Sequence, residues 1–223
     1  MSTGAISPGT TADTSGDPMT GLTSARLAEL SGTYTLDAAH TQIGFVARHA
    51  MVAKVRGAFD EFSGTATVDG ANLSNSTVTV VVKTASVNTR NAQRDGHLRS
   101  DDFLAVDEYP EITFVSTGAR QISEAELELS GDLTIKGVTR SVTVPFTYEG
   151  SAQDPYGNQR VGFAGAVTIN RKEYGITWNA ALETGGVLVG DKVVLELEVS
   201  AIKDAQAATP AVGAAGSRKD SAS

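Results

Sequence analysis

Imidazoles and carboxylates are the side chains most able to do chemistry at neutral pH. This chain has three histidines, His40, His49 and His97, and no cysteine. Without thiols, disulfide frameworks, thiolate metal sites and cysteine nucleophiles are excluded. Histidine metal sites need two or three ligands that converge. His40 and His49 are nine residues apart, an odd separation that places them on opposite faces of a continuous strand. His97 and Asp101 stand at i,i+4 with Asp102 beside them. They could share a helix face around a divalent ion; the other reading is a solvated polar helix with local salt bridges. No metal is assigned. Asp37, Asp132 and Glu173 are scattered, and nothing in the sequence pairs them as acid and base. Gly-x-Ser-x-Gly, His-Glu-x-x-His and phosphate-loop signatures are missing, so no catalytic residue is assigned.

Two further residues admit a functional and a structural reading. Arg171 follows Ile169-Asn170 and precedes the tight-turn sequence Lys172-Glu173-Tyr174-Gly175. Its guanidinium could donate to a ligand head group at a barrel end, or form a salt bridge or carbonyl cap at a strand end. Trp178, the single tryptophan, is either a pocket wall or core.

The elements that would position these residues are strands. Val78, Val80 and Val82 alternate with threonines, and Leu127, Leu129, Leu133 and Ile135 share one parity. Val142, Val144, Phe146 and Tyr148 do the same, as do Val193, Leu195, Leu197 and Val199. Such alternation means strands with one wet face and one buried face, and antiparallel pairing. The expected strands are 33–38, 42–49, 55–68, 77–84, 111–117, 125–136, 138–149, 160–170 and 191–202. Asp69-Gly70, Glu149-Gly150, Asp154–Asn158 and Gly185-Gly186 are read as the turns between them. Long strands of this kind stack as two sheets or close into a barrel. A barrel of around eight strands can hold one small ligand. Periodicity alone leaves both open. Residues 90–108 are too polar and too long for a hairpin and read as helical turns, with Leu98 and Phe103 capping one end.

Residues 1–31 are expected to form a flexible N-terminal tail with a short helix at 22–30, on which Leu22, Leu27 and Leu30 lie near one face. Residues 32–202 form the folded domain, and 203–223 a second tail. With 18 basic and 26 acidic residues in 223, the formal charge is −8, which works against binding a phosphate backbone, so no nucleic-acid partner is expected. No uncharged run reaches the roughly 18 residues of a spanning helix. The first basic residue is Arg26, too late for a signal peptide, so a cytoplasmic setting is expected.

The sequence resembles the YceI-like family of polyisoprenoid-binding, lipocalin-like proteins. The resemblance rests on Tyr34-Thr-Leu-Asp-Ala-Ala-His-Thr41 with Ile43-Gly-Phe45, Val55-Arg-Gly-Ala-Phe59 with Phe62-Ser-Gly64, and Arg94-Asp-Gly-His-Leu-Arg-Ser-Asp-Asp-Phe103 running into Tyr109–Phe114. Gly131-Asp-Leu-Thr-Ile-Lys-Gly-Val138, Ile169-Asn-Arg171 with Tyr174-Gly-Ile176, and Val189-Gly-Asp191 complete it. It implies an all-β fold: an antiparallel, extended eight-stranded barrel around an apolar tunnel. It also implies binding of an isoprenoid chain, isoprenoid quinones included, with no established enzymatic activity. Many members are periplasmic and tied to stress, acid or osmotic response. This chain departs there.

On that fold the pleat nominates Ile43, Phe45, Val80, Val82, Phe114, Leu133, Val144, Phe146, Phe163, Val167, Leu195 and Leu197 as ligand-binding walls, with Leu98 and Phe103 as the cap and Arg171 and Trp178 at the end. The expected partner is a long-chain isoprenoid or lipid, carried or stored by a soluble protein without a further cofactor, and a homodimer is a possible assembly. Two other functions stay open: an enzyme using His40, His97, Asp101 or Arg171 on such a lipid, and a filled structural barrel.

Overall fold

A computed structural model describes residues 21–205 apart from Met51 and Thr184; the tails expected at 1–20 and from 206 onward lie outside the described residues. In chain order the elements are α1 (Ser24–Glu29), β1 (Gly32–Leu36), β2 (Gln42–His49), β3 (Ala53–Phe59), β4 (Phe62–Val68), β5 (Thr77–Lys83), β6 (Val87–Asn88), α2 (Ala92–Arg99), β7 (Glu111–Gln121), β8 (Glu126–Ile135), β9 (Val138–Gln153), β10 (Gln159–Asn170) and β11 (Val189–Lys203). The strands pair antiparallel in the order β1-β4-β5-β7-β8-β9-β10-β11, and β11 returns to β1, with Tyr34 opposite Lys203. That circuit of eight closes the sheet into an antiparallel barrel. Beyond it, β2 pairs with β11 and β3, and β6 covers the end of β3. A sandwich would have left two open sheets.

Two expected elements differ. The run 55–68 is not one strand: it breaks at Asp60-Glu61 into β3, which pairs with β2, and β4, which pairs with β1 and β5. Phe59 and the pair Gly64 and Ala66 have opposite parity, yet all face the lumen. A straight strand cannot do that. The two-residue bend resets the pleat. Conversely, Glu149-Gly150 is no turn, because β9 runs through it to Gln153. Gly162 faces Gly150 while Phe163 faces Tyr148, so Glu149 is the extra residue of a β-bulge. Gly150 has φ of 118° there, a conformation open to glycine and not to side-chain-bearing residues.

The turn expected at Asp154–Asn158 is present and tightly wired. The Asp154 carboxylate accepts bonds from the side chain and amide of Asn158, the amide of Tyr156 and the Arg160 guanidinium. Arg160 also bonds Asp37, whose other neighbour is His40 at 2.7 Å. The Asn158 bonds, with those from Arg160 and Tyr156, outweigh desolvation and hold Asp154 down to about 2. Arg160 first, then His40 and the Ala39 amide, likewise lower Asp37 against its desolvation. Because both carboxyls titrate lower in the fold than in the open chain, their contribution is intact above the ordinary carboxylate range. It is lost as pH falls from about 4 toward 2. Urea unfolding measured between pH 5 and pH 2 should show stability falling across that window, and Asp154→Asn should flatten the slope. An unchanged slope would contradict the assignment.

The interior has two parts. At one end Phe103 and Leu104 of the turn after α2, with Val87 of β6, pack against Leu133, Ile135, Ile169, Tyr174 and Ile176. At the other, Leu22, Leu27 and Leu30 of the α1 segment pack on Tyr34, Tyr148 and Val161. The N-terminal helix, placed with the tail by the sequence reading, therefore roofs the barrel.

An apolar cavity as the candidate functional site

Between the two packed ends lies a cavity of about 290 Å³. Its walls come from every strand of the closed circuit, and its surface is almost wholly carbon. Of the wall residues expected from the pleat, Ile43, Val80, Val82, Phe114, Leu133, Val144, Phe146, Phe163, Val167, Leu195 and Leu197 line it. The same parity adds Val78, Leu127, Leu129, Ile135, Val142 and Val199. Leu22, Leu27 and Leu30 line its roof, a contribution the sequence reading missed. The sequence signal was weak, because only Leu27 lies within the six-residue helix Ser24–Glu29, with Leu22 and Leu30 flanking it.

Glycines keep the lumen open. The Phe146 ring lies over Gly165, its partner across the β9–β10 ladder, and the Phe114 ring lies over Gly131 on β8. A Cβ at either glycine would collide with the ring, so the missing side chain lets each aromatic lie against the wall instead of across the space. The same device removes Phe45 from the cavity. Its ring rests on Gly57 opposite it and stands 5.8 Å from the Phe59 ring, within the packing of the α2 end.

Leu98, Phe103 and Trp178 are also not at the cavity surface. They join the solid cluster at the α2 end. His97 is edge-on to Trp178 at 4.6 Å and to Phe103 at 5.0 Å, so imidazole, indole and phenyl rings form one aromatic plug. The acidic partner of His97 is Asp102, at 2.9 Å, and not Asp101 at i,i+4, because the helix ends at Arg99 and the chain turns back. Among the described residues no three His or carboxylate side chains converge as a metal site would require. The α2 motif is largely structural wiring. Arg94 bonds the Thr89 hydroxyl and carbonyl, Arg99 bonds the carbonyls of Ala85 and Val87, and buried Asp95 accepts from the Thr89 amide and hydroxyl. Burial pushes the Asp95 carboxyl up. The Thr89 bonds and the guanidiniums of Arg99 and Arg94 outweigh it and leave the group below its ordinary range.

Arg171 is a carbonyl cap. It is 4% exposed and donates to the carbonyls of Gly190, Ile176, Trp178 and Val189 at 2.8–3.3 Å, with Asp191 at 3.7 Å. Desolvation lowers its pKa, partly offset by Asp191. It does not reach the cavity. Neither do His40, His97 and Asp101, the other polar agents an enzyme would have used; the His40 side chain is 67% exposed at the surface.

The fold and the cavity define a closed antiparallel barrel of lipocalin-like type with an apolar interior. Residues 34–201 match the family model described as the YceI-like domain, and the chain belongs to that family. A UPF0312 protein of Staphylococcus aureus (strain USA300) is 42% identical over 164 residues, covering 73% of this chain and 93% of the relative. Among solved structures, a YceI protein of Campylobacter jejuni is 32% identical with a TM-score of 0.62, covering 77% of this chain and 98% of its own. BcnA of Burkholderia cenocepacia shares the fold at 24% identity, with a TM-score of 0.65 and coverage of 74% and 98%. So does a Saccharophagus degradans domain described as polyisoprenoid binding, at 17% identity and a TM-score of 0.60, covering 77% and 98%. Among the described residues no helix is long and apolar enough to cross a membrane.

Proposed function

We propose that the protein binds one polyisoprenoid, or a similar long-chain amphiphile such as an isoprenoid quinone, in its barrel and carries or stores it. The observation that carries this reading is the carbon-lined lumen. Its volume of about 290 Å³ sits at the lower edge of the roughly 300–1,000 Å³ usual for ligand sites, which suits a slender chain better than a bulky ring system. Each methylene moved from water into it contributes about 0.8 kcal/mol before the cost of ordering the chain. The described binding of the Saccharophagus domain supports the ligand class. His40 and Asp101 are exposed, His97 is held by Asp102 in the aromatic plug and Arg171 is bound to carbonyls, and their distance from the cavity supports binding over catalysis. The same reading has the protein acting in the cytoplasm, with a homodimer as its expected assembly; cell fractionation and light scattering check these parts. Displacement of an environment-sensitive fluorescent amphiphile by a prenyl quinone, saturating at one per chain, is the expected result. Absence of displacement at solubility-limited quinone would overturn the proposal.

A further inference from the structure

The connection from β2 to β3 reads Ala50-Met51-Val52, with none of the Gly, Asn, Asp or Ser that turns ordinarily use. Ala50 is held there at φ of 47°, a left-handed conformation that favours glycine. Val52 is 84% exposed. The Ala50 amide donates to the Leu188 carbonyl at 2.7 Å, which brings the loop carrying exposed Val187 alongside. Cations flank this apolar tip, in a chain whose formal charge is −8. Arg48 and Lys54 stand directly opposite each other across the β2–β3 ladder, a like-charge pairing that destabilises a sheet. Arg56 shares their face, two residues on from Lys54, and Lys192 lies in the β11 bulge that faces Arg48. Glu196 answers Arg56 at 2.6 Å, while Asp191 is taken by Lys172 and Arg171. Arg48, Lys54 and Lys192 are exposed, and their side chains have no ion-pair or hydrogen-bond partner among the described residues. Glu183 stands exposed on the neighbouring loop. Charge on β3, which β6 covers only at Ala58 and Phe59, guards an open sheet edge. That accounts for Lys54, but not for Arg48 and Lys192 on strands paired on both sides, nor for the exposed valine.

We propose that the β2–β3 tip is a docking surface for an anionic lipid bilayer, with Arg48, Lys54 and Lys192 on the head groups and Val52 entering the interface between them. A bilayer is where isoprenoid chains dissolve, so the purpose of docking rests on the isoprenoid-binding reading above; the docking itself is a property of the tip. Charge complementarity selects the occupant. Clustered Lys and Arg are drawn to anionic lipids within a Debye length of the surface. The exposed valine adds apolar burial that the acyl boundary rewards and a soluble anion does not. Attachment of this kind is reversible, because one valine and three unpaired cations fall far short of a spanning anchor. His49, the last residue of β2, stands opposite Val189, which packs on the cluster at the α2 end. Docking therefore turns the plugged end of the barrel toward the bilayer, and leaves the leucine roof at the far end.

The test is co-sedimentation of the full chain with phosphatidylcholine vesicles, with and without phosphatidylglycerol, at low and high salt. Binding to the anionic vesicles alone, lost at high salt, is the expected result. Lys54→Glu replaces a like-charge pair by an ion pair with Arg48, so thermal unfolding should be unchanged or raised while vesicle affinity falls about 30-fold, one attraction lost and one repulsion gained. The chain has no cysteine, so Val52→Cys takes an environment-sensitive dye at one place; its emission should shift to the blue on anionic vesicles. No sedimentation with anionic vesicles, equal sedimentation with neutral ones, or full affinity in Lys54→Glu would overturn the docking assignment. So would an unshifted dye, or a self-association that Lys54→Glu abolishes in a chain that binds no vesicle, which would make the face a protein interface. Failure here, with prenyl quinone still displacing the fluorescent amphiphile in solution, removes the docking surface and leaves the lipid-binding function standing. Vesicle binding by a chain that takes up no quinone would uphold the docking surface and overturn that function instead.

Discussion

Arg171→Ala should cost about 3–5 kcal/mol of stability, the largest effect expected of any single substitution described here. The guanidinium holds four carbonyls drawn from both sides of the segment 171–191, those of Ile176 and Trp178 on one side and of Val189 and Gly190 on the other. Truncation leaves these acceptors buried without a donor and leaves Asp191 without its deeper counter-charge. Arg171→Lys should recover only part of the loss, because an ammonium is a point charge and cannot span four acceptors in a plane. Chemical denaturation with the two variants side by side measures this. A loss under about 1 kcal/mol for alanine, the range of an exposed ion pair, would show that the cap is dispensable.

The second large effect is on binding. Ala66 on β4 faces the lumen with only a methyl group, and Ala66→Phe places a ring in the space the chain would occupy. A ring that displaces about three methylenes forfeits about 2.4 kcal/mol of burial, so affinity for a prenyl quinone should fall roughly 50-fold. Ala66 lines the cavity beside the roof cluster, so the substitution should cost the fold no more than about 1–3 kcal/mol, the range of overfilling. Displacement titrations check the affinity and thermal unfolding checks the fold. Unchanged affinity in a folded variant would put the ligand elsewhere.

Much of this architecture is legible in the residues because alternation reports which face of a strand is buried. Val78, Val80 and Val82, and likewise Leu195, Leu197 and Val199, could be assigned to the buried face on parity alone. Parity says nothing about depth along the barrel axis, nor whether a given layer is hollow or filled. Phe45 has the right parity, but Gly57 across the ladder gives its ring a place to lie, so it belongs to the packed end. Leu98, Phe103 and Trp178 do close an end, as plug and not as wall, because His97 and Phe103 interlock with the indole. The bend at Asp60-Glu61 and the bulge at Glu149 shift a strand by one residue, and each needs its partner's register to be recognised. Arg171 was readable as a turn arginine; that four carbonyls converge on it depends on loops distant in sequence. The roof was misplaced for a different reason. A six-residue helix has too few turns to declare a docking face by periodicity, and only the open end of a barrel gives its leucines a destination.

The most direct test of the central claim is to purify the full chain without detergent and weigh the intact protein by native mass spectrometry, beside an organic extract of the same sample. The account predicts one dominant isoprenoid at near one per chain, or its stoichiometric uptake when a prenyl quinone is added, released together with the chain's unfolding. A protein that carries no lipid and takes up none would contradict it and leave the barrel as a structural scaffold.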